Sequence, residues 1–147
     1  MQKRIIRPIV ICIFSNQDSI LVAEGFDSMK GDYFYRPIGG GIEFGESSTD
    51  ALIREITEEI NQEIKNLSYL GAVENIFTFN GDNGHEIVMV YDAAFIDQSL
   101  YHIESFEGIE DGGEKIKLFW KPLNDFTERR LRLVPEGLIT LIQNKMI

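Results

Sequence analysis

The chain has a single cysteine, Cys12, among 147 residues, so no internal disulfide can form, and this fits a reducing compartment. Cys12 lies in an apolar run, where a thiol serves as core filler. No apolar stretch approaches the roughly 20 residues that a membrane-spanning helix needs. Lys3, Arg4 and Arg7 ahead of Ile9 to Phe14 imitate a targeting segment only weakly. Pro8 opens that run, the run is short, and polar Ser15-Asn16-Gln17-Asp18 follows where a small-residue cleavage site belongs. A soluble cytoplasmic protein that does not engage membranes is expected. Positive charge is scarce as well: 14 lysines and arginines against 24 acidic residues leave a net charge of −10. With no basic cluster to release counterions, a nucleic-acid polymer is not an expected partner. A small anionic substrate stays compatible if a bridging metal neutralises it. Internal repeats, low-complexity segments, linkers and heptads are also missing. The 44% hydrophobic content over this length suits one domain, residues 1–147.

What the chain does contain is alternation of strand and helix signals. Pro8 to Phe14 and Ser19 to Glu24 are β-rich runs across a polar turn and read as a hairpin. Tyr33 to Arg36 reads as a short strand ahead of a glycine turn. A helix is expected from Ser48 to Ile60, with Ser47 three residues before Asp50 in a capping-box-like relation. Leu67 to Asn80 and His85 to Ile96 flank Gly81-Asp82-Asn83-Gly84 as a second hairpin. Lys115 to Pro122 reads as another strand, and the acidic stretch Glu104 to Glu114 as a loop. Pro135-Glu136-Gly137-Leu138 reads as a helix start, with Leu138, Leu141 and Ile142 docking that helix on the sheet. Strands interleaved with helices predict an α/β domain.

The segment that carries chemistry lies between Gly40 and Gln62. On a helix turning about 100° per residue, Glu55, Glu58 and Glu59 share an arc of about 100°, so their carboxylates can converge on one ion. Carboxylates bunched in this way repel unless a cation sits among them. The apolar residues Leu52, Ile53, Ile56 and Ile60 occupy an arc beside the glutamates, which places the carboxylates at the margin of the core. A glutamate triplet on a helix is ordinarily a solvated face. Here its spacing is more particular: Gly40, five residues, Glu46, seven residues, then Arg54-Glu55-Ile56-Thr57-Glu58-Glu59.

That spacing resembles the Nudix box. Arg36-Pro37-Ile38-Gly39-Gly40-Gly41-Ile42-Glu43-Phe44-Gly45-Glu46 resembles the glycine-rich approach to it, with Ile38 where the family usually has proline. At the closing positions, where the family has glycine and an aliphatic residue, stand Asn61 and Gln62. Asn tolerates the left-handed conformation that ends a helix, and Ile64 is placed to supply the apolar contact. The resemblance implies an α/β/α sandwich with a mixed β-sheet. It also implies a hydrolase that cleaves a pyrophosphate bond in a nucleoside diphosphate linked to another moiety, using Mg2+ or Mn2+, which favour oxygen ligands. Glu55, Glu58 and Glu59 would be metal ligands, with Glu55 also a candidate to orient or deprotonate water. The Gly39 or Gly40 carbonyl would be a further ligand, and Arg54 would hold the glutamates, pairing with Glu58 one turn on. Glu46 is either a residue favouring the helix dipole or a direct metal contact. Some members take a base or extra ligand from a loop outside the box, for which Glu107, Glu110, Asp111 and Glu114 are candidates. Glu114 has the most family-like placement, and replacing Glu110 is expected to be nearly silent. Arg36, Gly39 and Gly40 are candidates for substrate binding. Phe34, Tyr35, Phe77, Phe79 and Tyr91 either stack on a base or fill the core, while His85 and Glu86 read as structural. The competing expectation is a non-catalytic nucleotide- or metal-binding domain of the same fold. An EF-hand-like calcium protein fits poorly, because the acidic stretches lack its alternating oxygen ligands and final glutamate. A homodimer is a modest expectation from the resemblance.

Overall fold

The computed structural model describes residues 4–110 and 112–145. Asp111, a candidate loop carboxylate, and Lys3 of the basic N-terminal group lie outside the described residues. Eight strands form one mixed sheet: β1 (Arg7–Asn16), β2 (Ser19–Asp27), β3 (Asp32–Arg36), β4 (Ile38–Gly41), β5 (Ile64–Phe79), β6 (Asp82–Phe95), β7 (Ser105–Ile109) and β8 (Lys115–Pro122). The helices are α1 (Ser48–Ile60), α2 (Leu123–Thr127) and α3 (Leu138–Lys145), with a 3-10 turn at Gln98–His102. The strand order is β5-β6-β1-β2-β8-β7, with β3 added on β2 and β4 on β1. Only β1 and β6 run parallel, and every other pairing between strands is antiparallel. The first hairpin is short-lived, since β1 and β2 pair only at Ser15↔Ile20 and Asn16↔Ser19 before parting into two halves of the sheet.

Alternation along β1 explains why both faces need cover. Val10, Cys12 and Phe14 point to the face packed by Ala51, Leu52 and Ile56 of α1, while Ile9, Ile11 and Ile13 meet Phe126 of α2 and Leu138 and Ile142 of α3. The result is the α/β/α sandwich. Full burial of Leu52 and Ile56 contributes about 1.5–3 kcal/mol each and fixes α1 on the sheet. Cys12 is buried, and burial pushes its thiol pKa well up, which keeps it neutral.

Several expectations need correction. The glycine segment is not a turn but strand β4, whose Gly39 and Gly40 pair with Ile11 and Val10. A Cβ at Gly39 would run into the Val10 carbonyl oxygen and lie 2.7 Å from the Ile11 Cα, so glycine is what lets the strands meet. The turn itself comes later, at Phe44–Gly45. The stretch 104–114 is not all loop: Ser105–Ile109 is strand β7, with Phe106 packed against the core and Gly108 close under Ile60 of α1. Ile53, expected on the apolar arc, is 47% exposed. The last helix begins at Leu138, after the Pro135–Gly137 stretch.

Candidate active site

The α1 helix is built as its sequence reads. Ser47 Oγ accepts the Asp50 N–H at 3.1 Å at the N-terminus. At the other end Asn61 adopts φ 52°, ψ 46°, and its N–H donates to the Thr57 carbonyl at 2.9 Å. Between these caps the glutamates divide: Glu55 is 2% and Glu59 8% exposed, whereas the Glu58 side chain is 50% exposed. The Glu55 carboxylate lies against Gly40 of β4, the Glu59 carbonyl comes close to Gly108 of β7, and Glu58 reaches solvent.

Arg54 organises this arrangement. Its Nε donates to Glu46 Oε2 at 2.8 Å, Nη2 to Glu46 Oε1 at 3.0 Å and to the Gly41 carbonyl at 2.9 Å, and Nη1 to Glu55 Oε1 at 2.9 Å and Glu58 Oε2 at 3.2 Å. A guanidinium has five N–H groups, so each one has an acceptor within the protein. Arg54 therefore ties α1 to the end of β4 and sets where two of the three glutamates stand. Glu46 is its bidentate partner and also closes the turn, accepting the Glu43 N–H at 3.0 Å. The Arg54 guanidinium first, then that backbone N–H, lowers the Glu46 pKa to about 2. Its hydrogen bonds to Glu46 first, and then to Glu55, raise the Arg54 pKa. Glu46 thus positions Arg54, a role different from both sequence expectations, though its spacing before Arg54 was the available signal.

Gly40 lies directly against Glu55. A Cβ there would sit 2.6 Å from Glu55 Oε1 and closer still to the other two carboxylate atoms. The segment is a cradle for a carboxylate, and only glycine leaves it open. Beside it is a cavity of about 420 Å³ lined by Ile5, Ile6, Pro8 and Ile42 on its apolar side and by Arg7, Arg54, Glu55 and Glu58 on its polar side. Arg7 reaches within 3.8 Å of Glu86, on the neighbouring strand. A metal-ligand set here would consist of hard oxygens from carboxylates and one backbone carbonyl, the donors that magnesium and manganese favour. Among the described residues no three acidic, His or Cys side chains are gathered tightly enough to enclose an ion by themselves.

Other candidates fall outside this cluster or at its rim. Arg36 forms an ion pair with Glu110, at the end of β7, and lies close enough to Glu59 and Glu86 for their charges to act on it. Burial lowers its pKa and the two glutamates oppose that effect. Glu110 is therefore not an idle loop acid as expected; the contact joins segments far apart in sequence and left no local signal. Glu114 is exposed on the β7–β8 turn, where its carbonyl accepts the Glu110 N–H at 2.8 Å, and Glu107 is exposed on β7. Among the aromatics, Tyr35 is buried against Phe126 and donates its hydroxyl to Glu24 at 2.7 Å, with burial and Glu24 pushing its pKa up to about 12. Tyr91 is buried and shares a 2.5 Å hydrogen bond with Ser48, so it braces the start of α1. Phe34 and Phe79 meet edge to face at 5.6 Å, and Phe77 covers Gly84.

A glycine-cradled glutamate, an arginine with every donor engaged and two further glutamates on one helix together make an acidic site at the edge of this sandwich. The chain belongs to the Nudix family: the NUDIX domain matches residues 5–141. It is 37% identical over 67 residues to the NAD-capped RNA hydrolase NudC of Pseudomonas fluorescens, a match covering 46% of this chain and 24% of that protein. The chain thus spans about a quarter of the length of the curated relatives it matches. Among solved structures, a NUDIX hydrolase from Nitrosomonas europaea is similar with a TM-score of 0.67 and 14% identity, covering 97% of this chain and 89% of that one. The MutT NUDIX hydrolase from Burkholderia pseudomallei is similar with a TM-score of 0.66 and 22% identity, covering 95% and 98%. Nudix hydrolases generally use divalent metals. No helix among the described residues is long and apolar enough to cross a membrane.

Proposed function

We propose that residues 1–147 act as one catalytic domain that cleaves the pyrophosphate bond of a nucleoside diphosphate linked to another moiety, with Mg2+ as cofactor and Mn2+ as its substitute. The observation that carries this reading is the fully engaged Arg54, which sets Glu55 against Gly40 and holds Glu58 one turn on. Glu55, Glu58 and Glu59 with the Gly40 carbonyl are the assigned metal ligands. The bound ion supplies polarisation of the phosphoryl oxygens and an acidified water. Glu55, dehydrated and held by one guanidinium hydrogen bond, orients the attacking water at its own oxygen. Glu59, also dehydrated, favours the ion-bound state because two close carboxylates otherwise repel. Arg36 with Gly39 and Gly40 line the approach of the diphosphate, and Glu114 is assigned as a reserve base from the hairpin turn.

The substrate is a small nucleotide derivative. The matched stretch of the NAD-capped RNA hydrolases supports a dinucleotide joined through a pyrophosphate, and the net charge of −10 disfavours a long polymer. A cytoplasmic location and a homodimer complete the proposal. The test is a chromatographic screen with magnesium against NAD, ADP-ribose, dinucleoside polyphosphates, nucleotide sugars and nucleoside triphosphates. Cleavage of one class to two phosphorylated products supports the reading. Intact substrates throughout, with magnesium bound, would overturn it.

A further inference from the structure

Two arginines flank the buried glutamates, and they differ in what they leave for a ligand. Arg54 has each of its five N–H groups on a protein acceptor, so it has no fork to offer. Arg36 is different. Its side chain is 40% exposed, it stands two residues before Ile38 beneath α1, and its described ion-pair partner is Glu110. Glu110 is anchored from behind: its N–H donates to the Glu114 carbonyl at 2.8 Å, and its own carbonyl accepts the Gly113 N–H at 2.9 Å. These two backbone hydrogen bonds tie Glu110 to the far side of the β7–β8 turn.

A planar guanidinium takes a carboxylate and a phosphate in the same forked geometry. Glu110 consequently occupies the position on Arg36 that a phosphoryl group would claim. We propose that Glu110 is a positioning residue that holds Arg36 toward the Glu59 side of the site and yields it to a diphosphate oxygen when substrate arrives. The exchange favours ligands carrying more negative charge than one carboxylate, so Arg36 and Glu110 together select a diphosphate over a singly charged phosphodiester. This rests on the hydrolase reading and adds to it the group that the substrate displaces.

The experiment is calorimetric titration of inorganic pyrophosphate, with magnesium present, into wild type, Glu110→Gln, Arg36→Gln and the double variant. Glu74→Gln, exposed on β5, controls for loss of one charge. Removing the competing carboxylate should tighten pyrophosphate binding about fivefold, the equivalent of about 1 kcal/mol for a half-exposed pair. Arg36→Gln should weaken binding, and in that background Glu110→Gln should gain less than twofold. In turnover, Glu110→Gln should lower KM with a smaller change in kcat. Glu110→Asp, which keeps the charge on a shorter stem, should fall between wild type and Glu110→Gln. Unchanged or weaker binding by a folded Glu110→Gln, or a gain that persists without Arg36, overturns the proposal. Because affinity is read without turnover, the exchange stands even if no nucleotide is cleaved. Conversely, cleavage with a flat affinity series defeats the exchange alone.

Discussion

Replacing Gly40 by alanine is the smallest change that strikes the centre of the site. The added methyl would lie 2.6 Å from Glu55 Oε1, where ordinary contact begins at 3.4 Å, so carboxylate or strand must move by at least about 0.8 Å. A free glutamate tip would swing aside cheaply. Glu55 is 2% exposed and held by Arg54 at 2.9 Å, and β4 is held by four register pairs to β1, so neither partner is free to yield. Misplacing a reacting group by about 1 Å costs on the order of 100-fold in rate, or about 2.7 kcal/mol of transition-state stabilisation. Overpacking adds a stability loss of about 1–3 kcal/mol. The assay is kcat on the best substrate from the screen, alongside a thermal melt. Gly40→Ala should lose about 100-fold in kcat and a few degrees in Tm. Wild-type turnover by Gly40→Ala would refute the claim that Glu55 must rest in this cradle.

Arg54→Lys keeps the charge but replaces a five-donor planar fork by three donors on one atom, so it should lose about 2 kcal/mol in a denaturant titration and most of the activity. Glu46 has a folded-state pKa of about 2, below the unfolded carboxylate value, so its stabilisation is fully present above that unfolded value and fades as pH falls toward 2. Melts of wild type and Glu46→Gln should differ by a constant amount from about pH 7 to 5, and the gap should narrow from about pH 4 and close only towards about pH 2. Asn61→Gly, at a position already left-handed, should stay within about 1 kcal/mol of wild type. A larger loss would show that Asn61 does more than end α1. Leu52→Ala, at a fully buried position beneath the glutamates, should destabilise by about 2–5 kcal/mol in the same titration.

The helix was legible because its signals are local. Ser47, the apolar spacing and Asn61 fix α1 within a few residues of one another, and the structure returns the same bounds, Ser48–Ile60. The strands β5, β6 and β8 were legible for the same reason, although the turn between β5 and β6 falls at Asn80–Gly81, and Asp82, Asn83 and Gly84, expected in the turn, pair within β6 instead. What could not be read was set by distant partners. Ile38–Gly41 carries turn-forming residues yet becomes a strand because β1 supplies hydrogen bonds along its whole length. Ser105–Ile109 is short and lies in an acidic stretch, but it pairs with β8 and covers the end of α1. Within the site, the Arg54–Glu58 contact followed from helical spacing. Sequence did not disclose that Glu46 would take two of the Arg54 donors or that Glu110 would meet Arg36, since both depend on how separate segments fold back.

The most direct test compares wild type and Glu59→Gln on the best nucleotide substrate, with magnesium and with a chelator, by resolving the phosphorylated products. Glu59 is 8% exposed beside Glu55, so the neutral amide should fit the same space and leave the melt within a few degrees of wild type. The account predicts that wild type releases two phosphorylated products only when magnesium is present and that Glu59→Gln is slower by at least about 100-fold. Full turnover by Glu59→Gln, or cleavage that continues in chelator, would contradict it.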